Sequence, residues 1–276
     1  WLTIGYGLAS GALILPMGRL SDIIGRKRIY LTGFLISGLT AIITSIAPTL
    51  LLAIMFRTLQ GVGGAMIQAN AMAILIGSFP ASRRGFIIGI FMTTVGIASV
   101  FGPVFGGFIV QYFSWRWLLF ISFPLGLTAC VVGFLILPQL KPVASESRVG
   151  SKFDWKGSFY FAVALSSLML TITNGHRLGW ISPMVIALLI TFLIFALLFA
   201  VRQARTDSPL IALELLERKY FSFGALASLF TFLTGTSVFF IMPFYLQGVL
   251  EYRPAGAGLM MTPMAGFFAL SGPIAG

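Results

Sequence analysis

The chain has 276 residues, of which 58% are apolar and only 9% charged, and its formal net charge is +11. A soluble domain carries about 25% charged residues, so most of this chain is expected to face lipid or other buried helices, with no segment left over for a soluble catalytic domain. One cysteine, Cys130, and one histidine, His176, exclude an intrachain disulfide and any multi-cysteine or multi-histidine metal site within this sequence.

Spans of about 20 apolar residues cross a bilayer as helices. The pattern predicts nine of them, over residues 1–18, 30–47, 50–78, 86–110, 117–137, 155–174, 183–201, 220–246 and 257–276. The expected fold class is therefore all-α, a polytopic membrane protein. The chain opens inside one apolar run and ends inside another without a starting Met, and it reads as an internal piece of a longer protein. The net positive charge does not point to nucleic acid, because the basic residues are confined to short connections. The first, third, fifth and seventh connections carry fourteen of them, from Arg19 to Lys219; the alternate connections carry Arg116, Arg177 and Arg253. That asymmetry places the former on the cytoplasmic side of a plasma membrane, in a bacterium the cytoplasmic membrane, and in contact with anionic lipid.

The most specific short pattern lies between the first two spans, Gly18-Arg19-Leu20-Ser21-Asp22-Ile23-Ile24-Gly25-Arg26-Lys27-Arg28. It is expected to be a cytoplasmic loop in which two glycines permit a tight turn. The sequence Gly-x-Leu-x-Asp-x-x-Gly-Arg-Lys-Arg resembles the signature loop of the major facilitator superfamily of transporters. The resemblance implies helical bundles that rock around a central cavity, exposing it alternately to each side. It also implies a conformational-switch role for Gly18, Asp22, Gly25, Arg26 and Lys27, with Asp22 paired to Arg26 and nearby helix termini. A solvated acid pairing with adjacent cations is the plainer account of Asp22.

Within the third span, Arg57-Thr58-Leu59-Gln60-Gly61 resembles the superfamily's Arg-x-x-Gln-Gly element, whose arginine is linked with proton coupling. An arginine inside a membrane normally faces a watery cavity or a partner, although Arg57 also suits snorkelling near an interface. In the fourth span, Gly102-Pro103-Val104-Phe105-Gly106-Gly107 resembles the Gly-Pro-x-x-Gly-Gly element of proton-driven antiporters, which implies export over uptake. Pro103 bends a helix, and Gly102 with Gly106 is expected to form a small-residue packing face.

The stretch Trp115-Arg116-Trp117 through Pro124 and Gly126, and the later Gln247–Gly258 segment, resemble the 14-span drug:proton antiporters of the EmrB/QacA type, with Leu119 and Ser122 as departures. On that alignment residues 1–137 hold helices 2–6 of an N-terminal bundle, and 155–201 hold the two inserted spans. Residues 138–154 and 202–219 are cytoplasmic linkers, the second with a stretch over 210–217 that suits a short amphipathic helix and equally an ordinary solvated loop, and 220–276 begins the C-terminal bundle. The first helix and the last helices of the group lie outside the sequence.

The resemblance implies efflux of lipophilic small molecules driven by protons. The alternative is a facilitator carrying one metabolite or siderophore. Candidate cavity groups are Tyr6, Gln68, Asn70, Met92, Phe239 and Tyr245, each of which also suits plain helix packing. Every carboxylate falls in an expected connection, so no proton-carrying acid is visible mid-span. No phosphate-binding Gly-Lys-Ser/Thr loop exists, and with one histidine and no mid-span acid an enzyme is not expected. No cofactor or metal is expected, and a periplasmic adaptor protein is left open.

Overall fold

The computed structural model describes residues 1–139, 153–206, 208–211, 214–263 and 266–267. Among them the chain is helical and has no strand. The elements are α1 (Leu2–Ile24), α2 (Arg26–Ser45), α3 (Leu50–Gly77), a 3-10 turn (Ala81–Arg83), α4 (Arg84–Tyr112), α5 (Arg116–Ile136), α6 (Trp155–Leu178), α7 (Pro183–Arg205), α8 (Glu214–Glu217), α9 (Lys219–Gly248) and α10 (Pro254–Met260). Eight of these segments are long and apolar enough to cross a membrane. The ninth expected span has its first turns in α10, and most of it lies outside the described residues, as does most of the 138–154 linker.

Two expectations are corrected. The charged segment 18–28 is not a loop. α1 runs on through Asp22 to Ile24 and α2 starts at Arg26, so Gly25 is the one non-helical residue between them. Gly18 is inside α1 and makes no turn. Gly25 does, at φ 115 and ψ 127, a region that residues with a Cβ avoid. Leu210 and Ile211 are likewise not helical, and the helix there is the single turn of α8.

The chain divides into two compact units, Trp1–Ile74 with Ser122–Leu213, and Leu75–Ile121 with Glu214–Gly276. In the first, α3 packs through glycines on both sides. A Cβ at Gly61 would meet the Tyr6 carbonyl oxygen and lie 3.0 Å from Ala9 Cβ, and one at Gly63 would lie 2.8 Å from the Ser37 nitrogen of α2. Such contact between small residues lets helix backbones approach where no hydrophobic effect drives them together. α6 and α7 form an antiparallel pair, and Gly11 brings α1 to within contact of Leu165 on α6. In the second unit α4 and α10 pack together, and Leu246, Ala257 and Met261 form a small buried cluster with Phe239 against it.

Polar side chains on the long helices return their hydrogen bonds to their own backbone. Thr44, fully buried, donates to the Thr40 carbonyl at 2.7 Å, and Thr40 donates to Ile36 at 2.6 Å. Unsatisfied polar groups are costly away from water, so this local closure is what allows these residues inside a span. The outward faces are apolar. Leu193, Ile194 and Leu197 of α7 stand mostly exposed, a surface suited to hydrocarbon rather than water.

Candidate functional site

At the α1–α2 junction the carboxylate of Asp22, in the last turn of α1, accepts from Arg26 Nη2 at 2.9 Å and Nε at 3.0 Å. Both side chains are 26% exposed. Arg26 Nη1 also reaches the Ala73 carbonyl near the end of α3 at 3.4 Å. The pair borders a cleft of about 310 Å³ whose other walls include Gly18, Ser21, Ala69, Ala73 and Leu210. Lys27 turns the other way and donates to the Phe134 and Leu137 carbonyls at 2.8 and 2.6 Å. It thereby places a cation on the open carbonyls at the C-terminal end of α5, where the helix dipole favours it.

About two turns into α3, Arg57 Nη1 donates to Gln60 Oε1 at 2.6 Å, one turn along the same helix. The guanidinium lies 4.9 Å from the ring centroid of Tyr6 on α1. Gln60 is buried and Arg57 half-buried. Tyr6 is fixed from behind, because its ring fills the space beside Gly64, where a Cβ would come 3.0 Å from Cζ. Gly61 and Gly64 are therefore what let the tyrosine lie flat beneath the arginine. Among the described residues no carboxylate is ion-paired with Arg57; its partners are an amide oxygen and a π face, so its charge is retained and only partly compensated.

Tyr6, Arg57, Gln60 and Gly61 are thus brought together. Gln68, exposed on α3, donates to Ser10 Oγ of α1 at 3.2 Å. Asn70 is 0% exposed and donates to the Met66 carbonyl of its own helix at 2.8 Å. Met92, half-buried, Phe239, packed on the Leu246 cluster, and Tyr245, exposed, belong to the second unit.

The Gly-Pro-x-x-Gly-Gly element corrects the expected packing face. Among the described residues a Cβ at Gly102 would meet nothing within 4 Å, and one at Gly106 would only graze Leu118 at 4.0 Å. The close approach is made one residue on. A Cβ at Gly107 would lie 2.7 Å from the Pro254 carbonyl carbon, and one at Gly258 2.8 Å from that of Pro103. Gln111 Oε1 accepts from the Ala255 amide at 3.3 Å, so α4 also caps the start of α10. α4 is continuous through Pro103. A cavity of about 240 Å³ beside this contact is lined by Pro103, Gly107, Pro243, Gln247 and Gly258 among others.

A third polar group was not anticipated. Asp154 falls in the expected 138–154 connection, yet its side chain is 2% exposed. It caps α6, accepting from the Gly157 amide at 3.0 Å, and pairs with Arg202 Nε of α7 at 3.2 Å. An acid immediately before an apolar helical run is a helix-start signal; its buried partners on α7 leave no trace at that spacing.

These features define a multi-pass helical membrane protein whose described polar side chains gather at helix junctions and around Arg57 of α3. Residues 1–172 match the model of the Major Facilitator Superfamily, and the chain belongs to that superfamily. It is 32% identical over 277 residues to the riboflavin transporter RibZ of Clostridioides difficile strain 630, covering 100% of this chain and 58% of that protein. To multidrug resistance protein 3 of Bacillus subtilis strain 168 it is 30% identical over 268 residues, covering 96% of this chain and 51% of the relative. To the tetracenomycin C resistance and export protein of Streptomyces glaucescens it is 29% identical over 279 residues, covering 100% and 51%. The chain spans about half the length of these curated relatives.

Proposed function

We propose that the full-length protein is a proton-driven exporter of lipophilic toxic compounds, working by alternating access in a bacterial cytoplasmic membrane with the α1–α2 junction on the cytoplasmic side. The observation that carries this reading is Arg57. An intramembrane cation held by Gln60 and Tyr6, with no acid paired to it among the described residues, is poised to respond to a proton arriving nearby, since its charge is costly there and readily biased. Relatives named for multidrug resistance and for antibiotic export support the substrate class. The α6–α7 pair between α5 and α9 supports membership of the 14-span group. Asp22 and Arg26, at the cleft next to α3, serve as the contact remade between conformational states, and the Pro103–Gly107 contact with α10 as the seal that favours antiport.

Ethidium accumulation in an efflux-deficient strain carrying the full-length protein tests this reading. Low accumulation that rises when a protonophore collapses the gradient is expected. Accumulation equal to the empty vector, with the protein present in the membrane, overturns broad drug export. The second reading, a carrier for one metabolite, is favoured by the relative named as a riboflavin transporter. It gains the weight in that outcome.

A further inference from the structure

The polar side chains at the foot of the α6–α7 pair do more than end two helices. Gln203, 4% exposed, sits two residues inside the end of α7. Its Nε2 faces Asp154 Oδ2 at 3.5 Å, and Asp154 is itself held by the Gly157 amide and Arg202. There is no slack in this arrangement: a Cβ on Gly157 would lie 2.7 Å from Gln203 Nε2. Anchored so, the amide turns its Oε1 to the chain leaving α7 and accepts from the Leu210 and Ile211 amides at 2.6 and 3.2 Å. A buried amide is costly unless its donors and acceptors are used, and here the oxygen is used twice. Neither bond caps α7, whose last residue is Arg205. What they fix is the return path of the segment beyond it, and that path carries Leu210 into the wall of the cleft beside Asp22 and Arg26.

We propose that Gln203, anchored by Asp154, is a positioning residue for the α1–α2 junction. It seats Leu210 in the wall of the cleft next to the Asp22–Arg26 pair and restricts water's access to that pair without sealing it, so that the α6–α7 pair acts on the switch. Reducing the water around an ion pair strengthens it by lowering the local dielectric, so seating Leu210 beside this partly exposed pair favours the conformation in which Asp22 and Arg26 are joined. This inference rests on the switch role given to that pair above and extends it to α6 and α7.

The test uses the full-length protein in native membranes with Ala73→Cys as a reporter in the cleft wall and Cys130→Ser removing the single thiol of this sequence. The rate of labelling by membrane-permeant N-ethylmaleimide is read. Leu210→Ala, which removes apolar cover from the cleft wall, and Gln203→Leu, which removes the hydrogen bonds that seat Leu210, are each expected to raise it about fivefold, while Leu210→Met labels at the parent rate. Leu210→Ala retains its thermal midpoint, so the rise reports access and not unfolding. Unchanged labelling in both variants overturns the proposal. A rise in Gln203→Leu alone also overturns it, because the effect then belongs to a loosened helix pair and not to Leu210. Labelling needs no substrate, so failure to move ethidium overturns the export reading and leaves this result standing.

Discussion

Arg57 and Tyr6 meet face to plane across the α1–α3 contact, with the guanidinium carbon 4.9 Å from the ring centroid. A cation over an aromatic face is worth about 2 kcal/mol when desolvated, and the ring asks only for π density, not for the hydroxyl. Tyr6→Phe is therefore expected to keep transport close to the parent level, and Tyr6→Leu to reduce it severalfold. Drug efflux in cells, normalised to membrane expression, separates the two.

Arg57→Ala is expected to abolish proton-coupled efflux with expression unchanged. Arg57→Lys is expected to recover only a minor part, because an ammonium lacks the planar fork that bonds Gln60 while stacking on Tyr6. Protonophore-sensitive ethidium efflux measures both. Normal efflux in the alanine variant would remove Arg57 from coupling.

The Asp22–Arg26 pair is partly exposed and lies one helical turn apart. Pairs of this kind contribute about 0–1 kcal/mol to stability. Asp22→Asn is thus expected to leave the thermal midpoint of the purified protein nearly unchanged and to reduce transport at least about tenfold if the contact is remade during the cycle, a loss worth about 1.4 kcal/mol in a barrier. Equal losses in stability and transport would make the pair merely structural.

At the α4–α10 contact, neighbouring glycines are expected to behave oppositely. Gly107→Val drives a side chain into the Pro254 backbone, which cannot move aside, and overpacking of this kind costs about 1–3 kcal/mol. Gly102→Ala meets no neighbour among the described residues and is expected to be neutral. Thermal melts in detergent together with efflux assays check the contrast.

Gly25→Ala has room for its methyl group but not the backbone for it. At φ 115 a residue with a Cβ carries strain of about 1–3 kcal/mol. Reduced thermal stability is expected, whereas the same change at Gly18, inside α1, is expected to be mild. Melting curves of the two variants decide the matter.

Much of the fold was legible because lipid imposes simple rules. Apolar runs marked the long helices to within a few residues, and the family match bears out the superfamily resemblance drawn from the charged cluster. Legibility failed where two helices share one residue. The charges of 18–28 suggested a loop, but polar side chains at a helix end can reach the membrane surface without the backbone leaving the helix. It failed again at glycines, because sequence marks which residues are small but not which face is turned to a neighbour; hence Gly107 and not Gly102. Asp154 and Gln203 were missed because their partnership spans 49 positions and exists only once α6 and α7 lie side by side. The Arg57–Gln60 bond was readable from a spacing of one turn, while Tyr6 beneath it was not.

Because a single residue separates α1 from α2, any change of angle between them must be absorbed by two backbone torsions at Gly25. α2 has 20 residues and is roughly 30 Å long at 1.5 Å per residue. A rotation of about 10° at its base then sweeps its far end through on the order of 5 Å, nearly the pitch of a helical turn. In such a motion Gly25 would be the fulcrum and the 20 residues of α2 the arm. On the transport reading proposed above, a small exchange of partners by Arg26 would thereby be converted into a much larger displacement at the far end of α2.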